Sequence, residues 1–70
     1  MKLNVYGRRI DVERVNDEWV AFYIGMEGKR RKATDLIIPA HFEKDEVVTW
    51  IADLLHESAT ENNSSVEILD

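Results

Sequence analysis

Four consecutive cations, Lys29-Arg30-Arg31-Lys32, follow the two glycines of Gly25-Met26-Glu27-Gly28. A run of lysine and arginine can grip phosphate oxygens, and Arg8, Arg9 and Arg14 add positive charge nearer the N-terminus. The glycines do not complete a phosphate loop, however. Gly25-x-x-Gly28-Lys29 lacks the GxxxxGK[ST] spacing, and no helix follows it. Its composition is that of a glycine-bearing hairpin turn. Arg8, Lys29, Arg30, Arg31 and Lys32 are therefore candidate nucleic-acid contacts. The plainer reading is a charged strand that blunts a sheet edge. A net charge of −5 favours the plainer reading.

No other residues assemble into an enzyme motif. Asp53-x-x-His56 offers two metal ligands one helical turn apart, but a site needs three or four converging groups. His41 follows Pro39 without a visible partner. The serines at 58, 64 and 65 gather in or beside the tail, too far along the chain to argue a Ser-His-Asp arrangement. Cysteine is absent, which removes thiolate chemistry and disulfides. The expectation is a non-enzymatic protein with no catalytic residue, no metal and no cofactor.

The elements that hold these residues are legible from periodicity. Leu3 and Val5 alternate with polar neighbours, as do Ile10 and Val12, which is the period of a strand. Gly7-Arg8 between them suits a type II′ turn. That turn pairs Val5 with Ile10 and Leu3 with Val12. On the other face it sets Tyr6 against Arg9, Asn4 against Asp11 and Lys2 against Glu13. A second turn falls within Val15-Asn16-Asp17-Glu18, and a strand follows from Trp19 to Ile24. A two-residue Asn-Asp turn pairs Val12 with Ala21. A three-residue loop pairs Val12 with Phe22, and the difference exchanges the faces of the third strand. The longer loop is preferred, because it gives one apolar face of Leu3, Val5, Ile10, Val12, Val20, Phe22 and Ile24. Tyr6, Trp19 and Tyr23 then share the second face near Arg9, a composition typical of protein-interface centres. These four are the candidate interaction residues.

Glu43 to Ser58 has helical spacing. Val47, Val48, Trp50, Ile51, Leu54, Leu55 and Ser58 fall in one arc of roughly 160°. Asp45 is the expected N-cap, with Glu46 in the first turn. Leu36-Ile37-Ile38, ended by Pro39, reads as a short strand or a buried connection. Residues 60–65 are loop-like, and Val66-Glu67-Ile68-Leu69 either adds a short strand or frays.

Seventy residues allow one domain with a thin core, since a chain this short buries only about 60% of its unfolded surface. Small staple-free domains often gain stability by pairing with another chain. The longest apolar run, Trp19 to Ile24, is six residues, far short of a membrane span. MKLNVYGRR has no signal-peptide hydrophobic region, so a cytoplasmic location is expected. Charge is divided. Residues 1–34 carry +3 and residues 35–70 carry −8. The halves either neutralise each other within the molecule or face partners.

The order Trp19, Tyr23, Gly28-Lys29-Arg30-Arg31, Trp50 resembles the arm-binding domain of tyrosine recombinases over about residues 18–55. That resemblance implies a three-stranded sheet and helix on DNA. The helix departs from it, because Glu43, Asp45, Glu46, Asp53 and Glu57 would repel a phosphate backbone. A broader likeness spans most of the chain. Met1 to Arg8, Trp19 to Lys29, Ile38-Pro39 and Asp53 to Ala59 resemble a family of short bacterial proteins of unknown function, which implies no activity or substrate. The combined expectation is an α+β domain over residues 1–59 with a polar tail over 60–70. It has a small antiparallel meander of three to four strands and one amphipathic C-terminal helix on the apolar face. The expected function is a protein–protein interaction module, self-association included, with nucleic-acid binding through 29–32 as the alternative.

Overall fold

A computed structural model describes residues 1–69, apart from the Ser58 side chain. The Ser58 side chain of the expected apolar arc and the Asp70 end of the expected tail lie outside that description, and the α-helix ends at Leu54 rather than at Ser58. The fold is α+β. Strands β1 (Lys2–Val5), β2 (Arg8–Val15), β3 (Glu18–Ile24) and β4 (Arg30–Lys32) precede the helix α1 (Lys44–Leu54). A short 3-10 turn, His56–Ser58, and strand β5 (Val66–Ile68) follow it. All five strands form one antiparallel sheet in the order β4-β3-β2-β1-β5. The sheet thus has one strand more than the expected three to four. The extra strand is β5, which pairs Val66 with Val5 and Ile68 with Leu3. Leu36-Ile37-Ile38 is a connection, with Leu36 and Ile38 buried and Ile37 exposed.

Both hairpin turns differ from expectation. In the first, Val5 pairs with Arg8 and Leu3 with Ile10, so the turn residues are Tyr6 and Gly7 rather than Gly7 and Arg8. Both have positive φ, 53° and 85°, which is the type I′ pattern that matches strand twist. The Gly7 N–H donates to Asn4 Oδ1 at 2.9 Å, a local bond that supports this turn. The register moves by two residues, so Leu3, Val5, Ile10 and Val12 still share a face.

The second hairpin exchanges its faces. Val12 pairs with Ala21 and Ile10 with Tyr23, through a two-residue turn of Asn16 and Asp17 at φ 51° and 63°. Asn and Asp tolerate that left-handed region, and a two-residue type I′ turn follows. Turn chemistry prevails over the more apolar choice of face. Ala21 is buried, and Trp19 and Tyr23 pack against the core beside it. Val20, Phe22 and Ile24 face the other way.

One cluster contains every buried side chain of the described residues. Leu3, Val5, Ile10, Val12 and Ala21 come from the sheet. Ala33, Leu36 and Ile38 come from the connection, and Val47, Ile51 and Leu55 from α1 and its end. Burial of each larger aliphatic side chain contributes about 1.5–3 kcal/mol relative to exposure. The helix starts two residues earlier than an Asp45 cap would place it. Glu43 is the N-cap, and its backbone N–H donates to Glu46 Oε1 at 3.2 Å, half of a capping box. Leu54, placed in the apolar arc, is 47% exposed. No helix of the described residues is long and apolar enough to cross a membrane.

Candidate functional site

The cationic run divides because β4 is a strand. Successive side chains of a strand point to opposite faces. Arg31 stands opposite Tyr23 on the core side, whereas Arg30 and Lys32 stand opposite Ile24 and Phe22 on the outward side. Lys29, Arg30, Arg31 and Lys32 are all exposed. Among the described residues none of them pairs with a helix carboxylate. Their ion pairs are Lys29–Glu27 at 3.8 Å and Arg30–Glu13 at 2.7 Å. The positive end of the sheet is therefore not neutralised by α1.

On the core side, cations gather round Tyr23. The Arg8 guanidinium lies 5.1 Å from the Tyr23 ring centroid and the Arg31 guanidinium 5.8 Å, both within cation–π reach. The Tyr23 hydroxyl donates to Asp35 Oδ2 at 2.9 Å. Burial raises the phenol pKa above its usual 10, and Asp35 raises it further by accepting that bond and by its charge. Arg8 opposes both. Arg8, Tyr23, Ile24, Gly25, Lys29 and Arg31 bound a hollow of about 440 Å³.

The outward side is different in kind. No buried residue belongs to it, since the sheet's buried side chains all come from the opposite face. Its centre is the half-buried row Val20, Phe22 and Ile24 on β3. Arg30 lays its guanidinium 3.9 Å from the Phe22 centroid while holding Glu13. Lys2, Asp11, Phe22 and Lys32 line up across four strands. Asp11 Oδ1 is buried there with no hydrogen-bond partner among the described residues.

The four expected interaction residues are not one surface. Arg9 pairs with Asn4 and faces outward. Trp19 and Tyr23 face the core side, and the polar tips of all three aromatics are occupied. Trp19 Nε1–H donates to the Phe42 carbonyl at 2.9 Å, and the Tyr6 hydroxyl to the Ala52 carbonyl at 3.3 Å. Arg14 covers the Trp19 ring at 4.9 Å and donates to the Ala40 carbonyl at 2.7 Å. The physical reason is the two-residue turn at Asn16-Asp17, which sends the aromatics inward and Phe22 outward. Sequence reasoning missed Val20, Phe22 and Ile24 as surface residues, and that turn was the available signal. Of the expected nucleic-acid contacts, Arg8, Lys29 and Arg31 come together, while Arg30 and Lys32 lie across the sheet from them. Asp53 and His56 are exposed, and no group of three or more potential metal ligands occurs among the described residues.

A family model, described as Domain of unknown function (DUF7661), matches residues 1–70. No curated protein and no solved structure matches the chain.

Proposed function

The chain belongs to the DUF7661 family, and we propose that it is a non-enzymatic protein-interaction module acting through the outward face of its sheet. One observation carries this reading. Val20, Phe22 and Ile24 are apolar and only half-buried, on a strand with neighbours on both sides, and among the described residues no secondary-structure element packs over them, Arg30 alone lying across Phe22. An antiparallel sheet that keeps one face in water normally carries polar residues there. An apolar sheet face is satisfied by a second layer. The flanking residues carry both signs, Arg9, Arg30 and Lys32 against Glu13 and Glu67, so a second copy can supply the complement.

Sedimentation tests the reading. At about 100 μM, where micromolar affinity is saturated, the wild type is expected to exceed its 8.1 kDa monomer mass. Phe22→Glu is expected to return it to monomer with an unchanged circular dichroism spectrum. A monomeric wild type rules out self-association. A Phe22→Glu chain that self-associates like wild type places the contact elsewhere.

Nucleic-acid binding is the second reading, favoured by the four exposed cations that no helix carboxylate pairs with. It predicts affinity for duplex DNA or RNA that falls steeply with salt. No salt-sensitive binding below about 100 μM, the weak end of non-specific affinity, removes it.

A further inference from the structure

We propose that the hollow bounded by Arg8, Tyr23, Ile24, Gly25, Lys29 and Arg31 binds a phosphate group. Its cations Arg8 and Arg31 stand on the core side with Tyr23, and it shares only Ile24 with the interaction surface, so its failure leaves that reading intact.

The donors are available. Arg8 and Arg31 are exposed, and neither has a carboxylate partner among the described residues. Each guanidinium offers a planar fork of N–H donors that matches a phosphate's oxygens. Lys29 adds a compact positive charge. Its ion pair with Glu27, at 3.8 Å, joins side chains that are 86% and 81% exposed, so a ligand competes with it easily.

The site is also partly organised before any ligand arrives. Both guanidiniums lie within cation–π reach of the Tyr23 ring, which limits the rotamer freedom lost on binding. The ring is itself fixed by the 2.9 Å bond to Asp35. Asp35 is one nearby negative charge that a phosphate would meet. Its Oδ2 is engaged by the phenol, and the raised Tyr23 pKa keeps that phenol neutral. Three cations against the two carboxylates Asp35 and Glu27 leave a net positive charge suited to an anion. The volume, about 440 Å³, lies in the usual range for ligand pockets, about 300–1,000 Å³. It exceeds what a bare phosphate fills, so the rest of a phosphomonoester has room over Ile24 and Gly25.

Amide chemical-shift titration of the full chain tests this with inorganic phosphate, adenosine 5′-monophosphate and adenosine. The first two are expected to shift Ile24, Gly25 and Arg31 saturably, with Kd near 1 mM or tighter, roughly −4 kcal/mol. Adenosine shifts none of them. Equal affinities for phosphate and the monophosphate mean that the group alone is read, and a tighter monophosphate means that the hollow takes the ester. Arg8→Ala and Arg31→Ala each weaken binding about tenfold or more, as loss of a charge-assisted bond does. Lys32→Ala, on the other face, leaves binding unchanged, and the same spectra report that each variant is folded. Three outcomes overturn the proposal: no saturable shift, equal shifts from chloride at matched ionic strength, or Lys32→Ala weakening binding as much as Arg31→Ala.

Discussion

Tyr23 gives its hydroxyl hydrogen to Asp35 Oδ2 at 2.9 Å, tying the middle of the sheet to the connection that follows β4. The bond exists only while the phenol is protonated. Burial and Asp35 both raise the phenol pKa, so the folded state holds this proton more tightly than the unfolded chain does. The contribution to stability is complete below the ordinary tyrosine pKa near 10. It is lost as pH rises through the higher folded value. Thermal melts between pH 8 and pH 11 are expected to show Tyr23→Phe losing less stability with rising pH than wild type. Parallel curves for the two proteins would show that Tyr23 is not the group responsible.

Asp35→Asn separates the two roles of that carboxylate. The amide oxygen still accepts the phenol's bond, but the negative charge next to the Tyr23 hydroxyl is gone. Phosphate affinity is expected to rise a few-fold while the fold is retained. The shift titration described above reads the change, and an unchanged or weaker affinity contradicts the charge argument.

Gly7 occupies a position that only glycine fills without strain. Its φ is 85°, and a Cβ built there would meet Asn63 Cγ and Oδ1 at 2.9 Å. Left-handed backbone costs a residue with a Cβ about 1–2 kcal/mol. Gly7→Ala is therefore expected to lower unfolding free energy by at least about that amount in urea melts. Adding Asn63→Ala removes the collision but not the strain. The double variant should recover only part of the loss, and full recovery would mean that the backbone term is negligible.

The helix separates core from surface within one turn. Ile51 is fully buried, whereas Leu54 is 47% exposed. Ile51→Ala is expected to cost about 2–5 kcal/mol through lost burial and the cavity left behind. Leu54→Ala should stay within about 0.5 kcal/mol or slightly more. Comparable losses in chemical denaturation would place Leu54 in the core and rotate the helix from its described setting.

How much the sequence disclosed depended on which forces set each element. Leu3, Val5, Ile10 and Val12 announced themselves by alternation, and a two-residue shift of the first turn could not disturb the face they share. Val47, Ile51 and Leu55 were equally plain from helical spacing. The third strand was not, because both of its faces are apolar: Trp19, Ala21 and Tyr23 on one, Val20, Phe22 and Ile24 on the other. Hydrophobicity could not choose between them, and Asn16-Asp17 did. The site inherited this ambiguity. Arg8 and Arg31 were recognisable as cations, but their meeting over Tyr23 depends on a register decided some seven residues away.

That register yields the sharpest test of the architecture. Ala21 is 3% exposed and faces Val12 across the β2–β3 ladder, in a closed part of the core. Ala21→Leu must force extra volume into that space, and overpacking of this kind typically costs about 1–3 kcal/mol. Val20 points to the open face beside it, so Val20→Thr should change stability by no more than about 0.5 kcal/mol. The opposite register exchanges the two environments. Leucine at 21 would then lie on the open face at little cost, and threonine at 20 would put an unpaired hydroxyl in the core. Urea unfolding of the two variants distinguishes these cases by the order of their midpoints. Ala21→Leu below Val20→Thr is the expected order, and its reversal would return Phe22 to the core and take away the proposed interaction surface.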